Sequence, residues 1–301
     1  MSARRSATDW ALLLTLAAMW GSAFMFIKLG VATVPPATLV AGRVLISAVT
    51  LVAVVYAMGL RLPPLARGWR AFFVMAIVGN SVPFYLITWG QQFIDSALAG
   101  ILISMMPLAT VVLAHFWVAG ERMTRNRVAG FVLGFLGIVL LMGPDAFASL
   151  GGSMTKIVAQ LMVLSGALCY AANSVIARRT VRADFLVASA AVMVIASLIV
   201  VPAALVLDRP WTLAPSFSSA AAVVWLGVGP TAIATICYFR LISAAGPTFM
   251  SIVNYLSPAV AVFLGVTLMG EHPGVEAYTG LALILAGIAL SQFRRRTPSA
   301  S

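Results

Sequence analysis

Charge is scarce in this chain. Asp, Glu, Lys and Arg make up 9% of its 301 residues, while 62% are hydrophobic. Soluble domains carry about a quarter charged residues, so too few charges are present to cover a globule in water. Cysteine is nearly absent: Cys169 and Cys237 both fall in apolar runs, in no metal-ligand spacing and no disulfide framework. They read as structural filler. Histidine is equally rare, with only His115 and His272. The chain also has no G-x-x-x-x-G-K-[ST] loop and no soluble segment large enough to bind ATP, which excludes a primary pump acting by itself.

What is present is long apolar runs, with a mean hydropathy of +1.05. A closed β-barrel would alternate apolar and polar residues. Here the runs are unbroken, so the expected fold class is an all-α membrane protein. A span needs about 20 apolar residues, and ten segments qualify: 10–30, 37–59, 69–90, 96–119, 127–143, 157–178, 185–207, 218–240, 247–269 and 275–293. The first follows Arg4 and Arg5 and runs to Val34, longer than the ~7–15-residue core of a signal peptide, and no cleavage site ends it. It reads as a retained helix.

The net charge of +11 invites a nucleic-acid reading, but its distribution answers to topology instead. With the N-terminus in the cytoplasm, the inside segments hold Arg4, Arg5, Arg61, Arg67, Arg70, Arg122, Arg125, Arg127, Arg178, Arg179, Arg182, Arg240 and Arg294, Arg295, Arg296. That is fifteen of the nineteen basic residues; the outside segments hold only Lys156 and Arg209. The positive-inside rule therefore supports ten spans with both termini cytoplasmic and no nucleic-acid partner.

A shift of 150 positions superposes the two halves. Gly120-Glu121 falls on Gly270-Glu271, Gly130 on Gly280, Gly137-Ile138 on Gly287-Ile288, and Gly79 on Gly229. Trp20 meets Tyr170, Lys28 meets Arg178, and Pro107 meets Pro258 with one residue of slip. Each half, 1–150 and 151–301, holds five spans, so the second enters the membrane upside down. Inverted repeats of this kind are a transporter hallmark.

Trp20-Gly21-Ser22, together with Gly120-Glu121 through Gly130 to Gly137 and its recurrence at Gly270-Glu271 through Gly280 to Gly287, resembles the EamA-type branch of the drug/metabolite transporter superfamily. The resemblance covers essentially the whole chain. It implies ten helices in two inverted five-helix repeats, a central cavity lined by spans 1, 3, 4, 6, 8 and 9, and spans 5 and 10 packed outside. It also implies a bacterial inner-membrane protein that exports amino acids or related metabolites, with similarity to exporters of aromatic and other neutral amino acids.

The span boundaries place Trp20, Asn80, Pro83, Pro107, Tyr170, Asn173, Pro230, Thr231, Asn254, Tyr255, Ser257 and Pro258 near mid-membrane. Proline removes a helical hydrogen bond, so Pro107 frees the carbonyl of Ile103 and Pro258 that of Asn254. Freed backbone at this depth is tolerated only in protein or along a cavity. Pro83, Pro107, Pro230 and Pro258 are the candidate hinges, against the plainer reading that they only shape packing. Trp20 and Phe24 share a face of span 1, Tyr85 and Trp89 a face of span 3. With Tyr170, Tyr238, Tyr255, Asn80, Asn173, Asn254 and Ser257 they form the candidate substrate site, suited to a modest-sized amphiphile. Lipid contact or an interface belt is the alternative for any one aromatic, above all Trp89. Lys28 either meets a substrate carboxylate near the outer mouth or snorkels to headgroups. Arg43 lies in the outer part of span 2.

The eight acids (Asp9, Asp95, Glu121, Asp145, Asp184, Asp208, Glu271, Glu276) all fall near span ends or in loops, so none is the mid-membrane carboxylate usual in a proton relay. Facilitated diffusion by alternating access, with no cofactor and no metal, is the expected mechanism; a proton-coupled exporter of another small metabolite is the alternative. An intramembrane enzyme would need clustered catalytic groups. Glu121 and Glu271 are expected to end helices and pair in loops. Gly130 and Gly134 form a small-x-x-x-small face that either packs within the fold or joins two copies, which leaves the oligomeric state open.

Overall fold

The computed structural model describes residues 6–62, 69–118, 120–121, 123–142, 154–180 and 184–292. Arg4, Arg5, Arg67, Arg122, Arg182, Arg294, Arg295, Arg296 and Asp145 lie outside the described residues. Among the described residues the regular structure is entirely helical. Nine helices are long and apolar enough to cross a membrane: α1 (Ala7–Gly30), α2 (Pro36–Ala57), α3 (Trp69–Gly90), α4 (Ser96–Trp117), α5 (Arg125–Met142), α6 (Met154–Ala177), α7 (Phe185–Leu207), α8 (Phe217–Gly246) and α10 (Val275–Gln292). A shorter apolar helix, α9 (Val253–Met269), lies between the last two. The expected ninth span therefore begins later than its apolar run does. Gly246, at φ 81°, breaks the helical path, and a turn at Ser251–Ile252 precedes α9.

Local chemistry sets the ends. Ser6 and Asp9 form a reciprocal capping box at the start of α1. Asp184 accepts from the Leu186 amide at the start of α7, and Ser216 from the Ser219 amide at the start of α8. Gly270, left-handed at φ 64°, ends α9. The α2 N-terminus is capped from a distance: the Asp208 carboxylate accepts from the Thr38 amide at 2.7 Å and the Thr38 hydroxyl at 2.9 Å.

The most extensive helix contacts recur when each helix is exchanged for the one five places along. The α1–α9 contact is answered by α6–α4, and α3–α6 by α8–α1, while α2–α7, α4–α9 and α5–α10 pair mates directly. The repeated glycines explain the closest of these. A Cβ on Gly137 would stand 2.7 Å from the Gly280 carbonyl, one on Gly280 2.8 Å from the Gly137 carbonyl, and Gly130 lies against the Gly287 carbonyl. Only bare backbone permits this approach of α5 to α10. Gly134 packs on Leu108. The small-residue face of α5 is thus occupied within the fold. Large apolar side chains such as Phe116, Leu198 and Phe217 point out of the bundle, the surface a bilayer would solvate.

Candidate functional site

Two of the helices share an irregularity at matched positions. Within α3, residues Ile77–Ser81 form a π-helical segment, and within α8 residues Gly227–Ile233 do the same. They contain the repeat mates Gly79 and Gly229. Such π-bulges occur frequently at functional sites. Pro83 opens the α-helical part that follows the first, and Pro230 lies inside the second.

Pro230 cannot donate to the carbonyl of Leu226. The Thr231 hydroxyl does so instead, at 2.7 Å. In α3 the Asn80 amide plays a comparable part, reaching the Met75 carbonyl at 3.3 Å. Because the Thr231 proton is directed to Leu226, its oxygen is left to accept, and it accepts from Nε of Arg43 at 2.8 Å. The Arg43 guanidinium lies 3.8 Å above the centre of the Phe84 ring, within cation–π range. Phe84 in turn meets Tyr170 edge to face, ring centres 6.4 Å apart. Asn173, one turn along α6 from Tyr170, rests on Gly79, where a Cβ would come within 2.5 Å of the amide carbon. The Asn173 Oδ1 and the Ser81 Oγ are buried without a protein partner. The π-segments, Arg43, Phe84, Tyr170 and Asn173 form one polar and aromatic centre joining α2, α3, α6 and α8.

A second group gathers where α1 meets α8 and α9. Trp20 and Tyr238 lie 5.7 Å apart, and Tyr238 packs edge to face on Phe239. The Ser257 carbonyl approaches Gly21, whose missing Cβ would be 2.7 Å away, and the Ser257 hydroxyl is buried without a partner. Tyr255 packs on the buried core that includes Phe24, Ile101 and Ala261, and Asn254 lies in the first turn of α9, half-buried.

The remaining sequence-predicted residues are placed differently. Phe24 is buried in the core against Gly100. Trp89 packs with Phe93 at the end of α3, ring centres 4.9 Å apart. Tyr85 is exposed on the same helix. Pro107 stands just after a break at Ser104–Met105 that divides α4, whereas Pro258 lies inside continuous α9. Two shallow apolar grooves, one lined by Val128, Val132 and Leu136 and one by Trp69, Phe73 and Ile195, contain none of the predicted site residues.

Lys28 is held by backbone carbonyls. Its ammonium donates to the carbonyls of Gln91 at 3.1 Å and Ile94 at 2.8 Å, beyond the C-terminus of α3. The repeated glutamates also part company. Glu121 pairs with Arg127 at 2.8 Å. Glu271 is buried, and its two carboxylate oxygens accept from the amides of Ser96 at 2.8 Å and Ala97 at 2.9 Å, the first turn of α4. Sequence reasoning missed Arg43, Phe84 and Ser81. The available signal for Arg43 was its lack of a basic mate: position 193, its equivalent, is Met193.

The sequence matches the EamA-like transporter family twice, over residues 9–143 and 157–293. The chain belongs to that family. It is a multi-pass membrane protein and a transporter, and its two family matches coincide with the two sets of helices whose contacts exchange. It is 27% identical over 282 residues to the uncharacterized inner membrane transporter YedA of Escherichia coli K12, covering 92% of this chain and 88% of that one. It is 28% identical over 288 residues to a probable terminal-alkyne amino-acid exporter of Streptantibioticus cattleyicolor, covering 96% and 93%. A solved crystal structure with 23% identity superposes with a TM-score of 0.68 over 96% of this chain and 98% of that chain, a likeness of fold.

Proposed function

We propose that this transporter exports a neutral amino acid, aromatic or aliphatic, across the bacterial inner membrane by alternating access. The chain would cross the bilayer ten times as two inverted five-helix repeats, 1–150 and 151–301, with both termini cytoplasmic. The observation that carries the transport mechanism is the pair of π-segments at matched repeat positions, each beside a buried polar atom or a proline-freed carbonyl. Irregular backbone at membrane depth is tolerated where it is enclosed or lines a path, and two such elements related by the repeat suit a site shared by two states. The likeness to a probable amino-acid exporter over nearly the full chain supports the substrate class. The inner-membrane location draws its support from the relative YedA. Trp20, Phe24, Asn80, Tyr85, Trp89, Tyr170, Asn173, Tyr238, Asn254, Tyr255 and Ser257 remain the proposed substrate-contacting set, with Pro83, Pro107, Pro230 and Pro258 as hinges.

Uncoupled diffusion is the simplest mechanism. Most of the described acids are engaged away from the centre, at Ser6, Arg127, Leu186, Thr38, Ser96 and Ala97. The test is uptake of labelled amino acids into liposomes holding purified protein, with and without a pH gradient. Saturable uptake that ignores the gradient and falls with Trp20→Ala or Tyr170→Ala is the expected result. Flux that follows the gradient would replace the uncoupled mechanism with proton coupling.

A further inference from the structure

Arg43 is a buried cation with no acidic partner within 4 Å among the described residues. Arginine stays charged in a protein, and a lone charge inside an apolar bundle is costly. What the fold supplies is one hydrogen bond, from Nε to Thr231, and the face of Phe84. A ring face offsets only part of such a charge. The guanidinium has five N–H donors. Nε uses one, and the four on the terminal nitrogens find no acceptor among the described residues. The residue as a whole keeps 7% of its surface accessible.

The orientation is held from two sides. Thr231 fixes Nε, because its own proton is taken by Leu226, and Phe84 fixes the guanidinium plane. The terminal N–H fork is thereby presented as a preset pair, the geometry that grips a carboxylate with two parallel hydrogen bonds. A purely structural brace related by the repeat would be expected to recur. Instead the equivalent of Arg43 is Met193, and Ser81, the equivalent of Thr231, has a buried hydroxyl that nothing meets. Lys28, the other basic residue read as lying within a span, is spent on the carbonyls of Gln91 and Ile94. One cation suits a monoanion better than a phosphate dianion.

We propose that Arg43 is the anion-binding residue of the transport site, taking the carboxylate of the substrate in a fork set by Thr231 and Phe84, with Ser81 and Asn173 supplying further polar contacts on α3 and α6. This rests on the amino-acid reading for its substrate but is separable from it.

The test is ligand-induced thermal stabilisation of purified protein in detergent, with sodium chloride controls matched for ionic strength. The probes are L-phenylalanine and phenylacetate, which carry a carboxylate, and L-phenylalaninamide and phenylacetamide, which do not. Wild-type protein should be stabilised by the carboxylates and not by the amides, a comparison that needs no variant. Arg43→Gln should raise the half-maximal carboxylate concentration by roughly 30-fold or more, and Arg43→Lys, which keeps the charge but loses the fork, should fall between. Stabilisation by phenylacetate through Arg43, with no response to L-phenylalanine, would uphold the anion site and refute the aromatic amino-acid substrate. Equal response to carboxylate and amide, no response to any carboxylate, or an undiminished response in folded Arg43→Gln would overturn the anion site. If Arg43→Gln fails to fold, Phe84→Leu replaces it, and carboxylate affinity unchanged in that variant counts against the proposed fork.

Discussion

Replacing Glu271 by Gln should destabilise the fold far more than the same change at Glu121, although both stand in the same Gly-Glu motif. Glu271 is 8% exposed, and its two oxygens cap successive amides at the start of α4, at 2.8 and 2.9 Å. The segment that they cap, Ser96–Ile103, is only two turns long before α4 breaks, so it has little propagation of its own to rely on. Glutamine is isosteric but has one acceptor oxygen. One amide keeps a neutral bond, while the other faces an NH2 group. The loss is one charge-assisted bond, about 1.5–3 kcal/mol, plus the favourable meeting of an anion with a helix N-terminus, about 0.3–1 kcal/mol. The sum is about 2–4 kcal/mol, or a fall in melting temperature of about 3–6 °C. Glu121 and Arg127 are both partly exposed, so Glu121→Gln should cost less than about 1 kcal/mol. The assay is thermal unfolding of detergent-solubilised protein followed by size-exclusion fluorescence. Gly265 gives an internal check, because a Cβ there would overlap the Glu271 carboxylate. Gly265→Ala should reproduce much of the loss, and the double variant should cost less than the two singles together. Equal melting temperatures for Glu271→Gln and Glu121→Gln, or strict additivity with Gly265→Ala, would refute the capping argument.

Gly137→Val should push α5 off α10, since its first carbon alone would sit 2.7 Å from the Gly280 carbonyl; overpacking of this kind costs about 1–3 kcal/mol, read as a lower melting temperature. Lys28→Gln should lower the melting temperature by removing the ammonium from the Gln91 and Ile94 carbonyls; a raised KM for flux with unchanged stability would restore a substrate role. Asp208→Ala should cost about 0.5–2 kcal/mol, as the loss of the cap on Thr38 at the start of α2, and Asp208→Asn should recover part of it.

The helices and the repeat were legible because both are written in patterns that a bilayer enforces. Unbroken apolar runs placed eight helices to within about three residues, and the repeated glycines at 130, 137, 280 and 287 lie where α5 and α10 meet. The exceptions were the end of α8 and the start of α9, where Gly246 and the turn at Ser251–Ile252 interrupt a run that stays apolar throughout. The π-segments were not legible either. Widening one turn of an apolar helix leaves composition unchanged, and hydropathy cannot register it. Within the candidate site, Tyr170 and Asn173 fall in the polar centre and Trp20 beside Tyr238. Arg43 was read only as a cation in the outer part of span 2. Its partner Thr231 is 188 positions away, and nothing local marks the pairing.

The glutamates show why matched motifs can do different work. Their own segments are alike, but the position that would receive the carboxylate differs: Gly265 in the second half answers to His115 in the first. Glycine leaves a hollow into which the Glu271 carboxylate settles against Ala97. His115 stands at that position instead, its ring bonded to the Glu121 carbonyl at 3.0 Å, and the Glu121 side chain turns to Arg127. The same reasoning applies at the centre. Thr231 and Ser81 are equivalent hydroxyls, but only one meets an arginine, because the other half has Met193. Two equivalent buried cations would repel each other across the pseudo-two-fold and would both need counter-charge. A single one leaves a site with one fixed charge and otherwise amide, hydroxyl and aromatic surface. Such a site discriminates strongly by the charge of one ligand group and weakly by the shape of the rest. The near-identical glycine pairs hold the two halves together, and the departures from identity give the centre its sign.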